Sequence, residues 1–523
     1  MDMSNKFVSV IISDRGKSVL KFFIVFLFVF VSLYIASPGT SPSNPYIGVD
    51  TSVFLTVGSS FSEGALPYRD YFDHKGPLLY YIYAIAQYDT LGKLGIFVLQ
   101  TLAWSISVYA VWNTFRLFIK RELSMILLAV FLICSYSCIC EGGLTEEWSL
   151  PVSCVLLYIV LRYLKFNDCV SELPSWIWLS LGFGVAWHVM LRVTNAGVTC
   201  GEIVALLLML VHERAWKKTV LSVIWMLIGF LILLFPVIAV YIVENAEKEL
   251  WYGLYTFNCK YAMSAFGYGK ISSVFLKICP SIVLILLTGC FCNLSGLSSK
   301  VKLLVYSVAI TTTLSLLPGY AFNHYFINFA PIICCSLLFF GVCVTGSLHI
   351  AKRNKYLLAL VTLVFLVHPY VMTMKNQILH GLICALLPGH PVRSYNDYVR
   401  AKHFSELIKK SDASSVLAID CTAEIYCYMG IRPCNKFFFL QSFLSKSDSE
   451  IKTHVVNCLD SEKHAPGWLV LPKQYMDEQQ SVNKISKDFA SRIKEHYYYV
   501  DSGLLTNGHS KHSYLLYRRK RTK

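Results

Sequence analysis

The chain has 523 residues, of which 55% are hydrophobic and only 15% are charged, and its mean hydropathy is +0.52. Soluble domains carry about 25% charged residues, so this composition excludes an ordinary soluble protein and indicates a membrane protein. The formal charge of +15 could suggest a nucleic-acid partner. That interpretation fails if the basic residues lie on one side of a membrane, as the positive-inside rule requires.

Eleven apolar stretches approach the roughly 20 residues that a membrane-spanning helix needs. They are 19–37, 94–118, 123–141, 147–164, 174–191, 196–212, 219–243, 272–292, 301–318, 325–346 and 356–374. The first follows a basic segment and could be a cleaved signal. Its aromatic run FFIVFLFVFVSLY is longer and bulkier than a signal needs, so we expect it to be retained as a helix.

The short loops predict the orientation. The basic segments RGK, FIKRE, RYLKF, HERAWKK, SSKVK and HIAKRNK all fall on one face when the spans alternate. The positive-inside rule makes that face cytoplasmic and places the N-terminus inside. The outer face then holds the 38–93 loop, EGGLTEEW, LRVTNAG, the 244–271 loop, GYAFNHY and the residues after about 375. We therefore expect an integral cell-membrane protein whose unusual polar chemistry lies outside the cytoplasm.

The C-terminal part has a different composition. From about Ser394 charges become frequent, and the short β-like runs SSVLAID, GWLVLP, HYYYVDSGLL and HSYLLYRR appear, with the helical SVNKISKDFASRIKEHY between two of them. This pattern predicts a small extracytoplasmic α/β domain at 376–523, after a polytopic α-helical membrane domain at 1–375. A disulfide among its cysteines is possible, but no spacing fixes one. The cysteines within the apolar runs behave as small hydrophobic residues.

The first outer loop, residues 38–93, concentrates charge between Asp50 and Lys75. Gly76-Pro77 ends its extended part, and the following Tyr-rich LLYYIYAIA is too broken to span a membrane. Tyrosines are enriched at the headgroup level, where a ring can be half wet, so we expect this segment at the membrane–water boundary. Charges held there suit a substrate with a lipid tail and an anionic head.

Five motifs in chain order carry a resemblance to a known family: Asp50, PYRDYFDHKGPLLYY, LTEEW, LRVTNAG and NHYF. Together they resemble the bacterial GT-C-type glycosyltransferases, the relatives of protein O-mannosyltransferases, the lipid A aminoarabinose transferase and the rhizobial core-sugar transferases. The likeness covers roughly residues 15–375. It implies transfer of a sugar, with inversion, from a polyprenyl phosphate to a glycolipid, polysaccharide or protein acceptor on the outer face of the membrane. Many relatives carry Asp-Glu where this chain has Asp50-Thr51, which leaves the acceptor class open.

Asp50 matches the acidic residue that the family places in its first loop. Displacing a lipid phosphate from an anomeric carbon needs a base for the acceptor hydroxyl, worth a factor of about 10² to 10⁴. Asp50 is the carboxylate that we expect to serve as this base. The alternative is a helix N-cap, since Asp50 precedes the run TSVFLTVGSSF and Asp is favoured at that position.

Lys75 and the adjacent His74 are the candidates for binding the donor phosphate, because a lysine acts on phosphate as a point charge. The alternative for Lys75 is an interfacial lysine that extends its ammonium toward water. Asp73 and Asp70 either orient Lys75 and contact the substrate or are solvated loop charges. Arg69 is expected to be structural.

Glu146 and Glu147 begin a span from the outside, where acids also favour a helix start. The family places a substrate-contacting acid here, so one of the two is expected to bind substrate. Arg192 lies at the outer end of the fifth span, followed by Asn195. An arginine deep in lipid costs about 2.5–3.5 kcal/mol, so Arg192 should face a polar cavity, where it binds phosphate, or extend outward.

Asn323, His324 and Tyr325 match the family's HY block, and we expect His324 and Tyr325 to contact substrate; the alternative is an interfacial aromatic cap. The aromatic 244–271 loop is a candidate lid or substrate groove. The sequence contains no Gly-rich phosphate loop, zinc cluster or DxD pair where a metal would be needed, which predicts no cofactor and no obligatory metal.

Two other functions are compatible with a multi-spanning chain. A transporter or lipid flippase places ionisable groups at the bilayer midplane and often in repeated halves, whereas these charges cluster in outer loops. An O-antigen ligase or polymerase usually has its important polar loop late in the chain, and here that loop directly follows the first span.

Overall fold

The computed structural model describes residues 14–44, 47–87, 92–264, 282–283, 285, 297–317, 322–345, 393–411, 415–461, 465–476, 489–507 and 510–520. The chain forms two compact units, each assembled from three stretches of sequence. Unit 1 comprises Met1–Ser37, Phe97–Pro236 and Gly267–Gly381; unit 2 comprises Pro38–Ile96, Val237–Phe266 and Leu382–Lys523. The predicted domain boundary at residue 375 lies outside the described residues and stays a prediction.

The helices of the N-terminal and central parts are α1 Asp14–Ala36, α2 Val49–Ser62, α3 Pro77–Ala86, α4 Gly92–Phe118, α5 Arg121–Tyr136, α6 Thr145–Phe166, α7 Ser175–Val189, α8 Gly197–His212, α9 Trp216–Val243, α10 Glu247–Trp251, α11 Phe257–Ser264, α12 Ser299–Ser315 and α13 Ala330–Thr345. A π-helical turn, Tyr252–Thr256, joins α10 to α11. Single-turn 3₁₀ segments occur at Val170–Glu172 and Val193–Ala196, and a longer one, Asn323–Phe329, leads into α13.

Six of these helical segments are long and apolar enough to cross a membrane within the described residues. They are Gly16–Ala36, Gly92–Phe118, Thr145–Phe166, Val193–His212, Trp216–Val243 and Asn323–Thr345, and each coincides with a predicted span. The predicted spans at 123–141, 174–191 and 301–318 correspond to the shorter helices α5, α7 and α12. The predicted spans 272–292 and 356–374 lie almost entirely outside the described residues. The chain is therefore a helical membrane protein, and the count of eleven spans stays a prediction.

Small residues bring the helices of unit 1 into close contact. Helix α8 begins with Gly197 and Gly201, a GxxxG pattern of the kind that lets membrane helices approach closely. A Cβ atom on Gly201 would lie 2.5 Å from Cα of Val308 in α12, so the two backbones are nearly in contact. Thr311 of α12 donates a hydrogen bond to the Gly197 carbonyl at 2.7 Å, which such proximity permits.

Loops that the sequence assigns to one side of the membrane contact one another in unit 1. Lys300 pairs with Glu213 at 3.0 Å and donates to the Asp168 carbonyl, and all three residues lie in predicted cytoplasmic loops. At the other end, Asn323 donates to the Ser137 carbonyl at 3.1 Å. The orientation of the spans relative to the membrane stays a prediction.

The C-terminal part contributes helices and a small sheet to unit 2. The helices are α14 Arg393–Lys409, α15 Glu424–Met429, α16 Gln441–Leu444, α17 Glu450–Asp460 and α18 Phe489–His496, and the strands are β1 Val416–Ala418, β2 Trp468–Pro472, β3 Tyr497–Asn507 and β4 Ser510–Arg519. The strand order is β1-β2-β4-β3, with β1 and β2 parallel and the other pairs antiparallel. Each predicted β-like run overlaps one of these strands. The four cysteines among which a disulfide was possible, Cys421, Cys427, Cys434 and Cys458, are all free thiols.

Helices α2 and α3 pack as a hairpin at the start of unit 2. Phe54 contacts Tyr83 edge to face at a centroid distance of 5.7 Å, and Gln87 donates to the Leu55 carbonyl at 3.0 Å. Helix α3 has Pro77 in its first turn and only ten residues, so it is too short to span a membrane, as predicted. The expectation of half-wet rings is wrong for Tyr80 and Tyr83, which are buried in the protein.

Candidate functional site

The DHK sequence of the first loop forms a line of side chains in unit 2. Asp73 is buried, and its Oδ1 lies 3.3 Å from Nδ1 of His74. Nε2 of His74 lies 3.1 Å from Nζ of Lys75. A lysine ammonium can only donate, so Nε2 accepts this hydrogen bond and the imidazole proton lies on Nδ1, toward Asp73. The His74 ring thus lies between the Asp73 carboxylate and the Lys75 ammonium, and Oδ1 of Asp73 accepts the backbone N–H of His74 at 2.7 Å.

Two buried tyrosines hold this line in place. Tyr80 of α3 donates to Oδ2 of Asp73 at 2.8 Å, and Tyr68 donates to the Lys75 carbonyl. The backbone of Tyr68 is in the left-handed region, with φ of 66°, which is rare for a bulky residue. Its N–H donates to the Tyr71 carbonyl at 2.8 Å. The loop is consequently fixed on both sides of the charged residues.

The 252–264 segment packs against the same loop. The His74 ring contacts the rings of Tyr261 and Phe257 at centroid distances of 4.8 Å and 5.5 Å. Asn258 donates to the His74 carbonyl at 2.8 Å. Gly253, in the π-helical turn, leaves room for the Tyr68 ring: a Cβ there would lie 2.8 Å from ring atoms Cγ and Cε1. The aromatic run predicted as a lid or groove thus supplies a wall behind His74.

The C-terminal part of unit 2 anchors this wall. Asp448 accepts hydrogen bonds at Oδ2 from Tyr252 at 2.7 Å and from Lys260 at 2.8 Å. Phe72, next to Asp73 in sequence, donates its N–H to the Lys436 carbonyl at 2.9 Å. Burial raises the pKa of Asp448, but the hydrogen bonds and the Lys260 charge outweigh it, so the net shift is downward.

The charges beside Asp73 keep it ionised. Burial alone would raise the pKa of Asp73, but the hydrogen bonds that it accepts from His74 and Tyr80 and the positive charge of Lys75 act in the other direction, and the net shift is downward. Asp73 is therefore an anion at neutral pH. Of the two interpretations left open for Asp73, orientation of Lys75 fits this geometry and a solvated loop charge does not.

Asp70 and Arg69 stabilise the turn instead. Asp70 accepts from the Leu66 N–H at 2.7 Å and pairs with Arg69 at 2.9 Å, and Arg69 also pairs with Glu244 at 2.9 Å. These contacts give Arg69 the structural role expected of it and assign Asp70 to the same network.

Asp50 lies in the first turn of α2, and the residue at the N-cap position is Gly48. The alternative that made Asp50 the N-cap is therefore wrong, because the helix begins at Val49 and Asp50 is its second residue. A half-buried carboxylate in the first turn still interacts favourably with the helix dipole. Its position leaves the carboxylate near a helix N-terminus, and its predicted role as a base stays a prediction.

The remaining predicted site residues come together in unit 1. Oε1 of Glu146 accepts from Nη1 of Arg192 at 2.8 Å. The Arg192 guanidinium lies over the Tyr325 ring, 3.5 Å from its centroid, and the His324 ring meets Tyr325 edge to face at 4.5 Å. Glu146 is 1% exposed, and its Oε2 has no hydrogen-bond partner among the described residues. The cluster combines an anion, a cation and an aromatic face.

Glu147 has a different environment from its neighbour. Its Oε2 accepts from Gln100 at 2.6 Å and from the Trp104 indole at 2.7 Å, and its Oε1 accepts from the Leu144 N–H at 3.2 Å. The last contact is the reach-back of an N3 glutamate in a capping box. Both carboxylate oxygens of Glu147 thus accept hydrogen bonds from the protein, which favours the helix-start interpretation for this residue. Glu146 remains the candidate for contact with substrate.

Asn195 links three elements of unit 1. Its Nδ2 donates to Ser149 Oγ at 2.7 Å and to the Thr145 carbonyl at 3.2 Å, and its Oδ1 accepts from Asn328 at 2.7 Å. These bonds tie the start of α6 to the segments that carry Arg192 and Tyr325. Its predicted contact with substrate stays untested, and the geometry favours a positioning role.

Sequence reasoning missed several residues that hold these groups: Tyr68, Tyr80, Gly253, Asn258, Asp448, Gln100, Trp104 and Asn328. Only the tyrosines gave a signal, since they flank the DHKGP motif. The described residues contain no group of three His, Cys, Asp or Glu side chains placed to hold a metal ion. The absence of an obligatory metal stays a prediction.

Comparison with known proteins finds no matching family profile and no matching curated sequence. Solved structures do match. ArnT from Cupriavidus metallidurans bound to undecaprenyl phosphate has a TM-score of 0.55 and 13% identity, covering 96% of this chain and 98% of that one. The apo structure of the same protein has a TM-score of 0.54 and 13% identity, covering 97% of this chain and 98% of that one. The oligosaccharyltransferase AglB from Archaeoglobus fulgidus was solved in complex with an inhibitory peptide and a dolichol-phosphate. It has a TM-score of 0.48 and 12% identity, covering 91% of this chain and 73% of that one.

The match to ArnT extends over almost the whole length of both chains, including the part after residue 375 that the sequence motifs did not cover. At 13% sequence identity, this structural match establishes the fold alone. The chain has the fold of ArnT, so the resemblance indicated by the sequence motifs is confirmed at the level of the fold.

Proposed function

We propose that the protein is an inverting glycosyltransferase that moves a sugar from a polyprenyl-phosphate donor to an acceptor on the outer face of the membrane. The full-length likeness to ArnT, which was solved with undecaprenyl phosphate, supports this class of donor. The acceptor is a glycolipid, a polysaccharide or a protein.

The observation that carries the proposal is the state of Lys75. Among the described residues its ammonium makes no ion pair, and its contact is Nε2 of the neutral His74 ring. The loop around it is fixed by Tyr68 and Tyr80, so the backbone from which the Lys75 side chain extends is held in place. A half-buried cation that is held in place and not neutralised by a contacting carboxylate is suited to bind a phosphate.

The reaction follows from these charges. Asp50 takes the proton of the acceptor hydroxyl, and the resulting oxygen forms a bond to the anomeric carbon from the face opposite the phosphate. The bond between that carbon and the phosphate oxygen breaks, and the electron pair leaves with the polyprenyl phosphate. Lys75 stabilises the added charge on the leaving group, a kind of interaction worth about 3–4 kcal/mol per donor in other enzymes.

His74 acts through Lys75 in this scheme, because its Nε2 accepts from the ammonium and its Nδ1 faces Asp73. In unit 1, we assign Glu146 to a hydroxyl of a substrate, since its Oε2 is buried without a partner among the described residues. Arg192, His324 and Tyr325 form the surface on which that part of the substrate would rest.

The topology belongs to the same proposal: eleven spans, a cytoplasmic N-terminus and an extracytoplasmic C-terminal part. Two native cysteines test it, because both are exposed, Cys169 in a predicted cytoplasmic loop and Cys259 in a predicted outer segment. A membrane-impermeant maleimide on intact cells should label Cys259 and spare Cys169, with Cys259→Ser and Cys169→Ser variants to identify each signal. Labelling of Cys169 alone would reverse the orientation.

The function is tested with purified protein, a panel of polyprenyl-phosphate sugars and two variants. Asp50→Asn should lower turnover by at least about a hundredfold and leave donor binding intact, since the phosphate contacts remain. Lys75→Ala should weaken both donor binding and turnover, because the phosphate loses its counter-charge in the ground state and in the transition state.

Glu63→Gln is the matched control for Asp50, since Glu63 is an exposed acid just after α2 whose partner is Arg432. It should retain normal turnover, and thermal melts should show that all variants are folded. A folded Asp50→Asn protein with near-normal turnover would exclude Asp50 as the base. Absence of transfer with every lipid-linked sugar would contradict the proposed function as a whole and return a transporter or a ligase to consideration.

A further inference from the structure

Unit 2 contains a cavity of about 540 Å³ that the proposed reaction does not use. It opens between the start of the 247–264 segment and the C-terminal part, and Tyr252, Lys436, Phe437 and His454 are among its lining residues. Its volume falls in the range of about 300–1,000 Å³ that is usual for small-molecule sites.

The floor of this cavity is held rigidly. The carbonyl of Lys436 accepts the Phe72 N–H at 2.9 Å, and the N–H of Phe437 donates to Oδ1 of Asn435 at 2.9 Å. The ring of Phe437 is buried and packs on Phe72 at a centroid distance of 5.1 Å. On the other side, the hydroxyl of Tyr252 is fixed by Asp448. The cavity therefore exists before any ligand arrives.

Two basic side chains, Lys436 and His454, share the cavity, and no carboxylate among the described residues contacts either of them, although the charge of Glu249 acts on Lys436. The ammonium of Lys436 lies 5.8 Å from the centre of the Phe437 ring, and the His454 ring meets that ring edge to face at 5.1 Å. Within the described part of the chain, Lys436 Nζ makes no ion pair or hydrogen bond. Burial lowers the pKa of Lys436, and the charges of Glu249 and Asp70 offset this only in part. Burial together with the Lys436 charge lowers the pKa of His454. An anion placed between them would reverse both effects.

The other lining groups suit a polyhydroxylated ligand. Glu249 and Glu450 offer carboxylates and Asn457 an amide, all of which hydrogen-bond hydroxyl groups. Tyr252 and Phe437 offer ring surfaces, against which the C–H face of a sugar can pack. A simple anion would use the two bases and leave these groups without a role.

We propose that this cavity binds an acidic saccharide, a sugar that carries a phosphate or a carboxylate, as part of the glycosyl acceptor. That the saccharide is part of the acceptor rests on the proposed function, whereas its acidic character rests on the cavity itself. Phe72 connects the two places: its ring contacts Phe437 and Tyr252 of the cavity, and the next residue in the chain is Asp73. A saccharide in the cavity would thus lie against rings that contact Phe72, a residue of the loop that carries Lys75.

The test measures direct binding by isothermal titration calorimetry to the purified full-length protein. Three probes separate the sources of charge: glucose 1-phosphate, digalacturonic acid and neutral maltose. The perturbing variant is Lys436→Gln. The matched control is Lys446→Gln, because Lys446 also lies 5.8 Å from a phenylalanine ring, that of Phe443, and is exposed outside the cavity.

We expect at least one acidic probe to bind, with affinity reduced about tenfold or more by Lys436→Gln and unchanged by Lys446→Gln. Preference for glucose 1-phosphate would identify a phosphate, and preference for digalacturonic acid a carboxylate. If Lys436→Gln does not fold in a thermal melt, His454→Gln takes its place, with the same expectation. The proposal is overturned if neither acidic probe binds, if maltose binds equally well, or if Lys446→Gln loses as much affinity.

The two proposals can fail separately in this design. Lys75→Ala should keep saccharide binding while it loses donor binding. If the cavity does not bind acidic saccharides, donor binding and transfer remain as they were. If the protein is not a transferase, the saccharide binds and no lipid-linked sugar is consumed.

Discussion

The close approach of Gly253 to Tyr68 makes the position of Lys75 sensitive to a single methyl group. A Cβ on Gly253 would lie 2.8 Å from Cγ and Cε1 of the Tyr68 ring and closer still to Cδ1. Ordinary contact between carbon atoms is about 3.5–4.0 Å, so in Gly253→Ala the ring or the helical turn must move by at least about 0.7 Å. The Tyr68 ring is completely buried and has Tyr80 and Tyr241 at 6.0 Å and 5.9 Å.

The motion should reach Lys75, because the Tyr68 hydroxyl donates to the Lys75 carbonyl. Overpacking of this kind costs about 1–3 kcal/mol, and the better helix propensity of alanine returns about 1 kcal/mol. The net loss of stability is therefore small, about 0–2 kcal/mol. The loss of activity should be larger, since a misplacement of about 1 Å can reduce turnover by about a hundredfold.

The assay is transfer from the best lipid-linked sugar, with the melting temperature and donor affinity measured on the same preparations. We expect Gly253→Ala to lower kcat/KM by about tenfold to a hundredfold while the protein melts within a few degrees of the wild type. Tyr68→Ala removes the ring that the methyl group would displace, so adding Gly253→Ala in that background should cost little further. An alanine variant with wild-type activity, or an equal loss in both backgrounds, would refute this link from Gly253 to Lys75.

Three further variants test other parts of the molecule. Glu147→Leu should lower the melting temperature markedly, because it leaves two buried N–H donors without an acceptor at about 1–3 kcal/mol each. Arg192→Lys should keep a charge near Glu146 but lose the stacking on Tyr325, and transfer should fall more than stability does. Glu213→Gln should destabilise the protein at pH 7. Burial would raise the pKa of Glu213, but hydrogen bonds from two backbone N–H groups and from Lys300 lower it to about 2. The stabilisation it gives is therefore complete above about pH 4.5 and lost as the pH falls toward about 2, so melts of wild type and variant should converge there.

Much of the fold could be predicted from the sequence, because membrane-spanning helices leave a strong local signal. The long apolar runs located the six described long helices, and the short β-like runs located the four strands within the described residues. The exact start of α2 could not be predicted. Asp is a better N-cap than Gly by propensity, yet the backbone of Gly48 takes φ of 92° and the helix begins at Val49.

The division into units could not be predicted, because it depends on contacts between segments far apart in the chain. Phe72 packs against Tyr252, Phe257 and Phe437, which lie about 180 or more residues later. Aromatic enrichment in the 244–271 loop indicated a membrane interface or a lid, and such enrichment looks the same when the rings pack against protein. No local pattern distinguishes the two cases.

The pair Glu146-Glu147 shows why the sequence could locate a candidate site but could not assign a role to each of its residues. The motif TEEW is compatible with a helix start and with substrate binding, and the structure places its two carboxylates in different environments. Successive residues of a helix point about 100° apart, so one carboxylate meets Gln100 and Trp104 and the other meets Arg192. A buried acid with every oxygen hydrogen-bonded contributes to the fold. A buried acid with one oxygen paired to an arginine and the other without a partner among the described residues can still accept a hydrogen bond from a ligand, and by this criterion Glu146 is the residue to mutate first.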